Sequence, residues 1–430
     1  MNVPKIAIAA APSTRIDRII TPAGIEAWLV EDYTVPIISM DFAFIGGSAL
    51  DAPDKAGLST MMAGLSDEGA GPYAAQAFQE RLDDLAIELA FSSNRDRFEG
   101  SLRTLARHAD AAFDMLGLAI TQPRFDTDAI ARVRAQITAS LKRAETDPDS
   151  MVWKAYQSRS FGDHPYGRPE KGSVKTVAGL TRDDLVTCRS ARLGKSTLRI
   201  SVVGAVSGEQ LAVHLDRVFG ALPADVDHAA IADVVPGALG ARAVVPLKVP
   251  QSTLAMGRPG LGRKDPDFMA AYVVNHILGG GSFTSRLWTE VREKRGLAYS
   301  VWSQMSTARH AASLLAGTAT SNERIAESLA IIETELRRMA EYGPTQDELD
   351  KALKYLIGSY ALRFDTSRKI ASHLVEIQVE DLGIDYIATR NQRMAAVTLD
   401  DARRAAGRLI GDGQMLVAVV GQPAGITAEG

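Results

Sequence analysis

The chain has 430 residues, too many for one ordinary hydrophobic core, so two or more domains are expected. Its 46% hydrophobic and 23% charged content is that of a soluble globular protein, and a net charge of −4 gives no reason to propose nucleic acid or an anionic membrane as partner. A single cysteine, Cys188, excludes an intrachain disulfide, and no apolar run reaches the ~18 residues a membrane-spanning helix requires.

In chain order, Ile6-Ala7-Ile8-Ala9-Ala10-Ala11 is too short, and its front too weakly charged, for a full signal peptide; it fits the mature edge left after one is removed. Residues 25–44 are rich in β-branched and aromatic side chains and predict strands. Residues 57–65 read as a buried helix. Phe78, Leu82, Leu85 and Leu89 recur at helical spacing, residues 90–102 are strand-like, and 110–120 and 126–144 return to helix. The acidic pairs Asp67-Glu68 and Asp83-Asp84 are read as caps and a solvated helix face.

Residues 223–243 carry Pro, Gly, Ala and Asp without periodicity and predict a linker. Beyond it, 267–278 and 285–294 predict helices, 297–306 and 311–320 paired strands, and 322–342 a long helix. Thr345-Gln346-Asp347-Glu348 is a capping box opening another helix. Strands and helices come in runs, which favours an α+β fold over a doubly wound sheet.

The chain also repeats itself. Leu180-Thr181-Arg182-Asp183-Asp184-Leu185 is echoed by Val397-Thr398-Leu399-Asp400-Asp401-Ala402, each a Thr N-cap followed by acids in the first helical turn. Each is followed by an apolar strand whose closing glycine, Gly204 or Gly421, lies 23 residues after the threonine, and the copies are 217 residues apart. The expected organisation is two homologous domains, 1–225 and 243–430, joined by residues 226–242, each a mixed, mostly antiparallel sheet packed with helices.

Two segments carry a family resemblance. Ser285-Arg286-Leu287-Trp288-Thr289-Glu290-Val291-Arg292-Glu293-Lys294-Arg295-Gly296-Leu297-Ala298-Tyr299-Ser300-Val301 resembles the C-terminal-half signature of the pitrilysin/insulinase-like zinc metallopeptidases, which include the mitochondrial processing peptidase. His164-Pro165-Tyr166-Gly167-Arg168-Pro169 is also common in bacterial members. The resemblance extends over nearly the whole chain and implies two homologous α+β domains, in agreement with the repeat.

Active members carry His-x-x-Glu-His on an early helix. Two His at i and i+4 reach the metal from one face while the Glu serves as base on the bound water, and a further Glu lies some 76 residues on. The family pattern Gly-Leu-x-His-x-x-Glu-His falls here on Gly57-Leu58-Ser59-Thr60-Met61-Met62-Ala63-Gly64. Thr60 and Gly64 stand at the two His positions and Ala63 at the base position. Counting 76 onward from Gly64 gives Ser140, and aligning the later helix through Arg132-Val133-Arg134 and Asp147-Pro148 gives Ser140 again. No two of the seven histidines fall at helical ligand spacing, so no metal site and no cofactor is expected in this chain. His276, on an apolar helix, is read as a hydrogen-bonded core or interface residue.

The resemblance also implies a retained feature. Family active sites take an Arg and a Tyr, seven apart, from the C-terminal half, and both approach the scissile carbonyl from opposite the zinc. Here these are Arg292 and Tyr299, with Arg292 in the last turn of a helix ended by Gly296 and Tyr299 opening the next strand. The structural alternative pairs Arg292 with Glu290 or Glu293 and buries Tyr299. Gly279, Gly280, Gly281 and Ser282 precede the signature. No Gly-Lys-Ser/Thr follows, which argues against a phosphate loop, and the resemblance implies a tight turn with a role in substrate handling.

Bacterial members often occur as two unlike chains, one with the zinc motif and one supplying the Arg/Tyr pair. The resemblance therefore implies a non-catalytic subunit of a heterodimeric zinc endopeptidase. Its expected partners are a homologous zinc-bearing subunit and a peptide substrate, and zinc is expected only in the partner. By family analogy the location is the periplasm, with the cytoplasm open. The alternative is a structural scaffold or peptide-binding homodimer without proteolytic role; a cryptic independent peptidase is the third reading.

Overall fold

A computed structural model describes residues 15–428, so residues 6–11 lie outside the described part. Among the described residues thirteen strands form: β1 (Asp17–Ile20), β2 (Glu26–Glu31), β3 (Ile37–Ile45), β4 (Gly69–Ala70), β5 (Tyr73–Ala74), β6 (Glu88–Ser93), β7 (Arg97–Leu105), β8 (Leu198–Gly204), β9 (Arg242–Pro246), β10 (Gln251–Pro259), β11 (Ser300–Ala308), β12 (Ala311–Ser321) and β13 (Leu416–Gly421). β4 and β5 make a small hairpin, and the rest build two sheets, β1-β2-β8-β3-β7-β6 and β9-β13-β10-β12-β11. From β2 onward the first sheet and the second have the same order. Each holds one parallel pair, β2 with β8 and β9 with β13, among antiparallel neighbours. This is the mixed, mostly antiparallel, duplicated α+β architecture that the sequence repeat predicts.

The repeated motifs do what their composition dictates. Thr181 and Thr398 each cap a helix in a reciprocal box with Asp184 and Asp401, and Thr345 does so with Glu348. The helices Arg182–Arg192 and Leu399–Ile410 then lead into β8 and β13. These strands are nearly all apolar because both faces of each are covered.

What covers the second face is not local. Helix Ser367–Val379 lies on β3 and β8 of the first sheet: Gln378 Nε2 donates to Ile200 O (2.8 Å) and Ser201 Oγ to Ala371 O (2.5 Å). Helix Pro148–Phe161 lies on β10 and β13 of the second, where Val152 and Tyr156 join Ala255, Leu416, Ala418 and Val420 in one cluster. Each half lends the other a helix. Residues 222–241 form no helix or strand.

Local departures from the sequence reading have physical causes. The helix carrying Phe78 and Leu82 ends at Asp84. Ala86 adopts φ +49°, Ile87 N–H reaches back to Leu82 O (2.9 Å), and Leu89 belongs to β6. The strand-like stretch 90–102 falls within the hairpin β6–β7, whose turn is fixed by Asn94 Oδ1 accepting from Asp96 N (2.9 Å) and Arg97 N (3.1 Å). The helix expected over 267–278 is α-helical only over Phe268–Asn275 and widens into a π-turn, His276–Gly280; the signature helix is a π-turn over Trp288–Glu293.

The borrowed helix sets a pH dependence. Alternation along β3 points Met40, Phe42 and Phe44 into the first core and Asp41 toward helix Ser367–Val379. Burial raises the Asp41 carboxyl to about 6, opposed by Arg368 and helped by Glu99; burial also raises Glu99 and Glu380 nearby. A carboxyl raised in the folded state contributes stability below its unfolded pKa and loses it as pH climbs through the folded value. Asp41→Asn is expected to gain about 1–2 kcal/mol at pH 8 and nothing at pH 4 in urea unfolding. An equal effect at both pH values contradicts this assignment.

Candidate functional site

The helix Leu58–Ala63 is barely more than a turn and a half. Gly57 opens it at φ +96°, where an added Cβ would lie 2.6 Å from Lys171 O. Its first amides find a partner outside the helix. Asp51 accepts from Gly57 N (3.1 Å), Ser59 N (3.2 Å) and Ser59 Oγ (2.7 Å), and is itself held by Arg192 Nη2 at 2.7 Å. The Asp51 and Arg192 side chains are only 2% and 7% exposed.

Of the four positions aligned with the zinc motif, Thr60 and Ser140 bond to the turn at residues 170–171 and Gly64 lies against Val133. Thr60 and Gly64 are one turn apart on this helix, and a Cβ on Gly64 would touch Val133 Cγ1 at 3.2 Å. Val133 and Ser140 share a face of the helix Thr127–Ala144, two turns apart. Thr60 Oγ1 donates to Glu170 O (3.3 Å), and Ser140 Oγ accepts from Lys171 Nζ (3.4 Å), so one turn of chain closes over both hydroxyls. Ala63 is buried. Glu68 is not a solvated acid but pairs with Arg132 on the same helix, and burial raises Asp67 to about 6.

Zinc needs three or four nitrogen, sulfur or carboxylate donors. Two hydroxyls, a methyl and a hydrogen, with an ammonium beside one hydroxyl, do not fit it. Among the described residues no group of three or more His, Cys, Asp or Glu side chains is placed to hold a metal. Cys188 is buried, and that burial pushes its thiol up to about 12, so it is no nucleophile at neutral pH.

The other candidate group lies in the second half, just before β11. Arg292 is on the π-turn Trp288–Glu293. Gly296, at φ +56°, ends the turn by donating to Arg292 O (2.9 Å), and the chain continues through Tyr299 into β11. The guanidinium carbon is 4.2 Å from the Trp288 ring and 4.4 Å from the Tyr299 ring, and Nη1 donates to Tyr299 O at 3.0 Å. Glu290 is taken by Lys294 (2.6 Å) and Arg295 (2.7 Å), and no carboxylate among the described residues pairs with Arg292. Tyr299 is 81% exposed. The alternative of a local ion pair and a core tyrosine is therefore not what the chain adopts.

The glycine run is tightly built. A Cβ on Gly279 would meet Ser303 N at 2.6 Å, on Gly280 the Asn275 amide at 2.8 Å, and on Gly281 the His276 carbonyl at 2.7 Å. Gly279 is buried, whereas Gly280 and Ser282 are exposed. His276 stacks on the Tyr355 ring (5.1 Å), and burial lowers its pKa.

The His164–Pro169 motif serves the junction between halves. The Tyr166 hydroxyl donates to Asp96 and accepts from His310 N (3.1 Å), while Asp96 also accepts from Arg309 N (3.0 Å). The β6–β7 and β11–β12 turns, which are equivalent in the two sheets, meet across this tyrosine.

The class these observations point to is a duplicated α+β chain whose motif positions carry no zinc donors and in which, among the described residues, no His, Cys, Asp or Glu group is placed to hold a metal. Two family models match it: Insulinase (Peptidase family M16) over residues 30–172, and the Peptidase M16 inactive domain over residues 179–356. The chain belongs to the M16 insulinase family. It is 31% identical over 314 residues to an uncharacterized zinc protease of Streptomyces coelicolor, covering 70% of this chain and 66% of that protein. To the non-peptidase homolog YmxG of Helicobacter pylori it is 27% identical over 344 residues, 78% of each. The crystal structure of a peptidase M16 inactive domain from Pseudomonas fluorescens superposes with a TM-score of 0.89 over 97% of this chain and 100% of that one, at 24% identity. That likeness shows the fold alone.

Proposed function

We propose that this chain is the metal-free subunit of a two-chain zinc endopeptidase, supplying Arg292 and Tyr299 to an active centre whose metal, water and base belong to a homologous partner. The observation that carries the reading is the state of Arg292: half-buried, stacked with two rings and bonded to a carbonyl, with no carboxylate among the described residues paired with it. A fixed cation beside an exposed phenol suits the oxyanion that develops when a peptide carbonyl is attacked, since the donors need no reorganisation as charge appears. The strands β6 and β11 end their sheets, and each leaves one row of backbone groups available to an extended peptide. β11 starts one residue after Tyr299. A closed chamber between the chains would admit peptides and unfolded segments and exclude folded proteins.

Co-expression with a homologue bearing His-x-x-Glu-His tests the pairing. The expected product is a one-to-one complex in which zinc follows the partner, while this chain purified alone carries none. A stable homodimer that ignores the partner favours the scaffold or peptide-binding alternative, and stoichiometric zinc in the isolated chain overturns the proposal.

A further inference from the structure

A cavity of about 550 Å³ opens in the second half, between residues 263–270 and the helix Tyr386–Ala395. The duplication shows that the fold does not require it, because the first half packs the equivalent place closed. There the helix preceding the Thr-capped repeat is Val174–Ala178. Thr176 Oγ1 donates to Ala56 O (2.8 Å), and a Cβ on Gly172 would lie 2.0 Å from that oxygen. The Asp51–Arg192 pair is buried beside it. In the second half the same pair is Asp265–Arg408, with side chains 20% and 44% exposed, and Asp265 lines the cavity.

The charges around the cavity do not cancel. Asp265 is bonded to Arg408 (2.8 Å), Asp267 to Arg404 and Arg408 (2.7 Å each), Asp381 to Lys264 (2.6 Å) and Asp401 to Arg404 (2.8 Å), so every lining carboxylate is taken. Two lining guanidiniums remain, Arg263 and Arg393, and no carboxylate among the described residues pairs with either. Arg263 is fixed. Its Nη2 donates to the Tyr386 hydroxyl (2.7 Å), and its guanidinium carbon lies 4.5 Å from the Phe268 ring and 5.3 Å from the Tyr386 ring. The Arg393 guanidinium lies 5.9 Å from that same Tyr386 ring. Two like charges held around one ring repel each other, and an anion between them reverses the sign of that energy.

We infer that this cavity binds a small organic anion, with its carboxylate or phosphate oxygens on Arg263 and Arg393 and its body against the apolar part of the lining, Pro266, Met269 and Leu382. The planar guanidinium fork matches both oxyanions, and the volume is that of a small-molecule site rather than of a bare ion.

Methyl NMR on the full chain with ¹³C-methyl methionine tests the site, because Met269 reports from the cavity wall. The probes are phenyl phosphate, benzoate and the uncharged benzamide. The expected result is a saturating shift of the Met269 methyl with one or both anions, at a Kd below about 1 mM, and a response to benzamide at least about tenfold weaker. The tighter of the two anions names the oxyanion. Arg393→Gln should weaken it about tenfold or more. Arg393 is exposed, so the rest of the variant's methyl spectrum should match the wild type. Arg107→Gln, at an exposed arginine of the first half, should leave the affinity unchanged. Benzamide binding as tightly as the anions, or an anion affinity that survives Arg393→Gln, overturns the site. So does the absence of any Met269 shift with either anion up to about 10 mM.

Discussion

Arg292→Ala, in the assembled two-chain enzyme, is expected to lower kcat by about 10²–10³-fold, and kcat/KM by the same factor. The guanidinium is fixed before substrate arrives, between Trp288 and Tyr299 and on the Tyr299 carbonyl. A group so held gives most where charge develops and little to the ground state, so KM should move little. Arg292→Lys should recover little. A flexible ammonium neither stacks between two rings as a planar guanidinium does nor presents its paired donors. Tyr299→Phe keeps the ring over Arg292 and removes only the hydroxyl, so a loss there isolates the phenol as a donor. If both variants turn over at the wild-type rate, the residues have no part in the chemistry.

Asp51→Ala is expected to cost about 3–5 kcal/mol of folding stability and roughly 10 °C in Tm. Among the described residues the carboxylate is the one ionic partner of a buried Arg192, and it accepts from two amides opening the helix Leu58–Ala63. Removing it leaves a desolvated charge and orphaned donors together. The second half provides an internal control. Asp265 and Arg408, 214 and 216 residues further on, repeat the pair bidentately at 2.8 Å, but their side chains are 20% and 44% exposed. Asp265→Ala should cost about 1 kcal/mol or less, because water screens and replaces the interaction. Equal losses at the two positions, measured by urea unfolding, contradict the burial argument.

That pair also marks where sequence reading ends. The capping boxes at Thr181, Thr345 and Thr398 are legible because cap and partner are three residues apart. The strands closing at Gly204 and Gly421 are legible because burial on both faces leaves nearly continuous apolar runs. Asp51 and Arg192 lie 141 residues apart, and no local pattern joins them. The exchange of helices Pro148–Phe161 and Ser367–Val379 is hidden for the same reason: their apolar residues are visible, but not which sheet they cover. The π-turns at His276–Gly280 and Trp288–Glu293 lengthen the hydrogen-bond span of an α-helix by a single residue, below what hydrophobic spacing resolves. Arg292 and Tyr299 are singled out in the sequence only by the signature around them. Trp288 stands inside that same signature, but its contact with the guanidinium appears only in three dimensions.

Peptide hydrolysis by each wild-type chain alone and by their mixture tests the two-chain active centre most directly. Turnover should be negligible for this chain, low for the zinc-bearing partner, and about 10²-fold or more higher for the mixture, titrating to an endpoint of one chain per partner. A partner that reaches full turnover without this chain, or a mixture no faster than the partner alone, contradicts a shared active centre.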